Sequence, residues 1–430
     1  TGGFAAGIDP ATGAALKDGA GATALQLGFN PANVSALDAT SLGALSSDAF
    51  QNFSSDQIGK LDAKAVAGFG ADQLGNLAPG AVAGFGATQM AALDSTAMAG
   101  FSGSQAAGLK TDAIASLSGD QLGGLTAAAM GGFGATQTAA LDPTAMASLG
   151  KDQLGGMTAA AMSGFGKDQM AALDPTAMSG LGAAQAAGMD PTAMAGLGKD
   201  QMAALDPTAM AGFGASQMAA LAPTAMAGFG KDQMAALDPA AMAGFGKDQM
   251  AALDPTAMAG LGATQTAGMS AASMGGLGAA QLGGMTATAM SGFGATQVAG
   301  MDATAMSGLG AAQLGGMTAT AMAGIDATKA AALDAAALTG LGADQLGGMT
   351  GAAMGGFNAT QIAALDPLAM AGLGATQAAG MDPTAMAGLG KDQMASMGAA
   401  AMAGFGKDQM AALDPSAMAG FGKDQMAALD

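Results

Sequence analysis

Asp206-Pro207-Thr208-Ala209-Met210-Ala211-Gly212-Phe213 and Gly230-Lys231-Asp232-Gln233-Met234-Ala235-Ala236-Leu237 are the two octapeptides on which the fold turns. In the first, Asp206 is placed to cap a helix, and Pro207 falls at the first helical position, where its missing N–H costs nothing. In the second, Gly230 has no side chain to cap with, but Gln233 stands three residues on and can reach back as in a capping box. In both, two apolar residues lie three apart, on one face of the turn that follows: Met210 with Phe213, and Met234 with Leu237. Each octad therefore reads as a helix of about one and a half turns followed by a sharp bend.

Working outward, the last apolar position recurs every eight residues. It runs Phe29, Leu37, Leu45, Phe53, Leu61, Phe69 and onward, without insertion or deletion, to Leu413, Phe421 and Leu429. A second apolar series sits three residues earlier, from Val34, Leu42 and Phe50 to an almost unbroken line of Met between Met90 and Met426. Ala106, Ala186, Thr138 and Thr266 are among its lapses. The two octad types alternate, so the sequence period is 16. Twelve of the thirteen prolines share one position of it, and Gln recurs at another from Gln57 to Gln425, broken only by Lys329. The Lys of each Lys-Asp-Gln run also keeps its place: Lys151, Lys167, Lys199, Lys231, Lys247, Lys391, Lys407 and Lys423.

Other architectures fail on spacing. In a strand, residues an odd number apart face opposite sides, so apolar spacings of three and five would split the core. One continuous helix would rotate its stripe by about 80° per octad and meet Gly or Pro every turn or two. Collagen needs Gly at every third residue. The expectation is an all-α solenoid of 16-residue coils, each made of two one-to-two-turn helices. Residues 30–430 would form about 25 such coils, stabilised by nearest-neighbour stacking. Residues 1–29 are out of register and read as an N-terminal cap or a junction. Thr1 is not an initiator Met, and the array shows no polar cap at Asp430, so the chain reads as part of something longer.

The alphabet narrows the chemistry. The 430 residues include no Cys, His, Trp, Tyr, Arg or Glu, and the charged residues are Asp and Lys alone, with a net charge of −19. Without Cys or His there is no thiol or imidazole for zinc, iron–sulfur or Ser–His–Asp chemistry, so no enzyme activity, catalytic residue, metal or cofactor is assigned. The acidic balance with no Arg argues against nucleic acid, and no apolar run is long enough for a transmembrane helix.

Four series remain as candidates. Asp174, Asp190, Asp206, Asp238 and Asp254 form one acidic ladder, and Asp152, Asp168, Asp200, Asp232 and Asp248 form another. Either might be offered to divalent cations, but lone carboxylates one coil apart supply too few oxygens, and capping accounts for them. The Met series reads as flexible core filling rather than a copper site. The Phe series (Phe213, Phe229, Phe245, Phe405, Phe421) reads as core, with rings expected to lie beyond the 4.5–7 Å of interacting aromatics. Thr176, Thr192, Thr208, Thr224 and Thr256 fall once per 16 residues, as on an ice-binding face, although Ala240 interrupts them and Thr136, Thr264 and Thr296 are out of phase.

Taken as a motif, Leu/Phe-x-x-x-Gln-Met/Leu-Ala, seen from Phe229 to Leu237 and, with Ala145 in place of Gln, from Leu141 to Leu149, resembles the Ala-rich Leu-x-x-x-Gln-Ile/Val-Ala-Ala-Leu arrays of very large bacterial secreted and surface proteins. Those arrays carry Thr-Thr where this chain has Lys-Asp or Asp-Pro, and Ile/Val where it has Met. The resemblance implies an extracellular or cell-surface adhesin stalk, filament or sheath that self-associates. The alternative is a surface-binding solenoid for ice or polysaccharide.

Overall fold

A computed structural model describes residues 34–429 other than residue 46; the expected cap or junction at 1–29 lies outside the described residues. The described residues are all helical, with helices of four to six residues and no strand. The expected all-α solenoid of very short helices is what the chain forms. By its contacts it divides into two units, Thr1–Gly212 and Phe213–Asp430.

Local structure follows the octad chemistry. Gln-bearing octads form α-helices such as Lys199–Ala204 and Lys247–Ala252. Asp-Pro octads form either a single α-turn, as at Pro207–Met210, or a 3₁₀ helix, as at Pro175–Gly180 and Pro383–Gly388. Many of the six-residue helices give way directly to extended backbone. Leu205 (φ −64°, ψ 134°) is followed directly by Asp206 (φ −66°, ψ 139°), which opens the next helix.

That junction decides the shape of the coil. Helices 16 residues apart do not stack on one another; each packs instead on the helix 24 residues away. The 16-residue, two-helix coil expected from the sequence period is therefore not the coil that forms. In the first unit Lys151–Gly156 packs on Pro175–Gly180, and Ala183–Gly188 on Pro207–Met210; in the second, Ala279–Gly284 packs on Ala303–Gly308, and Ala343–Gly348 on Pro367–Gly372. Partners open 24 residues apart, as Lys151 and Pro175 do, so a turn takes three octads and is three-sided. Because the types alternate, each side stacks a Gln octad on an Asp octad.

Three residues per octad point inward, one more than the two apolar series. In the helix Pro207–Met210 and its bend these are Ala209, Met210 and Phe213; in Lys199–Ala204 they are Gln201, Met202 and Leu205, all buried. Met and Leu exchange places within some octads. Met170 pairs with Leu173, and where the first is Leu154 the second is Met157, an exchange of nearly equal size that a packed interior tolerates. Phe rings also meet. Phe69 and Phe85 lie 5.9 Å apart edge-on, Phe85 and Phe101 6.5 Å, and Phe229 and Phe245 6.4 Å. This corrects the expected separation, because residues 16 apart occupy adjoining sides of a three-sided core rather than successive layers of a two-sided one.

Glycine sets how closely turns approach. A Cβ on Gly180 would stand 2.7 Å from the carbonyl carbon of Lys151, which opens the helix one turn earlier. Ser148 occupies the equivalent place, and there the opposing residue is Gly119, whose own Cβ would meet Ser148 Oγ at 2.6 Å. Space surrendered on one strand of the contact is recovered on the other.

Candidate functional site

The acidic ladders resolve into helix caps. Since Pro207 has no N–H, the first free donor of its helix is Thr208, and Asp206 Oδ1 accepts from both the Thr208 amide (2.8 Å) and its hydroxyl (2.7 Å). Asp174 with Thr176, Asp190 with Thr192 and Asp254 with Thr256 repeat the arrangement, and Asp238 keeps the amide bond alone because residue 240 is Ala. These bonds favour the carboxylate. The carboxyls of Asp174 and Asp190 are held below their ordinary value by the Thr hydroxyl and then the amide, and that of Asp206 by the amide and then the hydroxyl. The second ladder, Asp152, Asp168, Asp200, Asp232 and Asp248, lies in the first turn of each Gln-bearing helix. There a negative charge complements the unpaired N–H groups. Among the described residues no three acidic side chains converge as a metal site would require.

The Thr series does not form a file. Thr176 and Thr192 belong to octads on different sides of the three-sided turn; the helices stacked on Pro175–Gly180 are Lys151–Gly156 and Lys199–Ala204, which carry Asp152 and Asp200 in their first turns. The hydroxyls of Thr176, Thr192 and Thr208 are bound to aspartate. The Met and Phe candidates from Met90 to Met402 and from Phe213 to Phe245 are core.

Gln does more than the sequence suggested. Gln201 Oε1 accepts from the Gly198 amide at 2.8 Å, which is the expected half of a capping box; Gly198 has no side chain to complete it. Its amide nitrogen donates to Met170 O (2.7 Å) and Leu173 O (2.8 Å), at the end of a helix 32 residues back. Gln249 does the same with Met218 O and Leu221 O, both at 2.7 Å, and Gln425 with Met394 O and Met397 O. One buried carboxamide thus satisfies an orphan N–H at the start of its own helix and two carbonyls near the end of another. The signal was present in the sequence: Glu would close the box equally well but could not donate, and no Glu occupies the N3 place of any octad.

Lys329, the single break in the Gln series, is a coordinated exchange. The cap residue there is Asp326 instead of Gly. Its Oδ1 accepts from the Lys329 amide (2.9 Å), and its Oδ2 pairs with the buried Lys329 ammonium at 2.7 Å.

The surface depressions are shallow and open. One of them, about 800 Å³, lies over the glycine pairs Gly315-Gly316 and Gly347-Gly348 beside Asp344 and Gln345. With no side chains covering it, Gln345 is half-buried and its bonds to Gly315 O and Met317 O lengthen to 3.3 and 3.1 Å. Among the described residues no helix is long and apolar enough to cross a membrane.

Fold and interactions together define a repeat protein, a helical solenoid with a three-octad turn. In comparisons with protein-family models, curated proteins and solved structures, the chain matches none.

Proposed function

We propose that the chain is a structural element of the cell exterior, a filament, sheath or stalk component that associates with further copies of itself, and that it is akin to the octapeptide arrays of large secreted and surface proteins. One observation carries this reading: the recurring polar residues, the capping Asp with the Thr beside it and the N3 Gln, are engaged in holding one octad to itself or to another. Much of the exposed surface is Ala, Gly and Thr on short helices, with Asp and Lys both present among them, which suits close lateral approach between chains.

Electron microscopy of the full-length protein, with antibody labelling of intact cells, tests this. Ordered assemblies or stalks labelled at the surface are expected. Isolated particles that never associate would remove the filament and sheath versions, and labelling confined to the cell interior would remove the reading altogether.

A further inference from the structure

We propose that Asn52 and Asn358 are acceptors of N-linked sugar. The chain has five Asn, and three of them open Asn-x-Ser/Thr with x other than Pro: Asn33-Val34-Ser35, Asn52-Phe53-Ser54 and Asn358-Ala359-Thr360. This is the acceptor pattern for glycosylation of the side-chain amide. Asn33 lies outside the described residues. Asn52 and Asn358 are both exposed, as are Ser54 and Thr360, the hydroxyl residues of the two tripeptides.

Helix capping does not require Asn at 358. The neighbouring octads of the same type carry Gly342 and Gly374 at this place, and each donates its backbone amide to the N3 Gln as Asn358 does to Gln361. What Asn adds is a carboxamide of fixed orientation. Its Oδ1 accepts from the Gln361 amide at 3.0 Å, so Nδ2 is the other arm, on extended backbone (φ −95°, ψ 172°) at an octad junction. Replacing one Nδ2 hydrogen by a sugar leaves Oδ1 able to keep its bond, so the modification and the fold are compatible.

In the transfer, Nδ2 bonds to the anomeric carbon of an activated sugar, the bond from that carbon to a diphosphate oxygen breaks, and the displaced amide proton passes to a base of the transferase. The donor is a sugar diphosphate, carried either on a lipid or on a nucleotide. The inference stands apart from the proposed extracellular role, because transfer from a nucleotide sugar needs no secretion.

Peptide mass mapping of the full chain purified from the cells that make it is the test. Peptides containing Asn52 and Asn358 are expected to carry sugar, a single hexose marking the nucleotide-linked donor and an oligosaccharide the lipid-linked one. Asn358→Gly, which restores the residue of the neighbouring octads, should abolish the increment on its peptide while leaving the circular dichroism spectrum unchanged. Both peptides at their unmodified mass in the native protein would overturn the proposal, as would an increment that survives Asn358→Gly.

Discussion

Gln201 and Leu173 are joined by a 2.8 Å hydrogen bond from the carboxamide nitrogen of one to the backbone carbonyl of the other, 28 residues earlier. The same side chain accepts from the Gly198 amide and donates to Met170 O, so a single residue ties together the ends of two helices that the chain visits more than a full turn apart.

Substituting Gln201→Glu keeps size and the capping acceptor but removes both donors. The carbonyls of Met170 and Leu173 would then face a carboxylate, at a cost of about 2–4 kcal/mol. In native-state hydrogen exchange the amides of residues 166–173 and 198–205 should exchange roughly a hundredfold faster or more, with distant octads unaffected. Unchanged protection there would show that the bridging bonds carry little of the stability.

Two glycines should respond in opposite directions to a small side chain. At Gly180 a methyl group would press on the Lys151 carbonyl, and Gly180→Ala should destabilise by about 1–3 kcal/mol. Gly198 has an ordinary negative φ of −97° and its Cβ would meet only Gln201 Oε1, at 3.7 Å. Gly198→Ser completes the capping box and restricts the unfolded chain, and should stabilise by about 0.5–1 kcal/mol. Denaturant melts of the two variants beside the parent measure both signs.

The Asp–Thr caps make stability depend on acid. The folded carboxyls of Asp174, Asp190 and Asp206 lie below their unfolded value. Their contribution is thus complete above the unfolded value of about 3.9 and is lost as pH falls through the lower folded value. Thermal melts should be flat with pH above about 5 and fall steeply below about 4. A variant with Thr176, Thr192 and Thr208 all changed to Ala should melt lower than the parent at neutral pH, and the gap should narrow in acid. A gap that stays constant down to strong acid would mean that the hydroxyls act through packing.

The alternation of octads sets what length change the array accepts. Removing residues 246–261, one Gln octad and one Asp octad, leaves every Gln octad stacked on an Asp octad and every bridging Gln matched to another Gln octad. Removing residues 246–269, which is one geometric turn, sets like on like at the junction. The first deletion should melt as the parent does, and the second should lose exchange protection around the join. Equal behaviour of the two would show that the octad types are interchangeable.

Much of this was legible from residue order. The eight-residue step located every bend, and Asp-Pro and Gly-x-x-Gln identified the helix starts, because capping is decided within four residues. The number of octads per turn was not legible. A spacing of eight is silent on the angle between successive helices, and that angle comes from the extended pair Leu205 and Asp206. The ring contacts of Phe69, Phe85 and Phe101 were missed for the same reason. The outward half of Gln201 was hidden because its partners lie in another turn, although the missing Glu pointed to it. Thr176 and Thr192 look aligned on the page only under a two-sided turn.

A three-octad turn wound from a two-octad text has no front or back. In each unit, Asp-Pro and Gln-bearing helices succeed one another along every side, so a neighbour arriving from any direction meets the same alternation. Most proteins that pair laterally keep one cheek for the partner. Here the mismatch between two small integers repeats one pattern of caps and bridges on every side of the turn, so a substitution on one side has its counterpart on the other two.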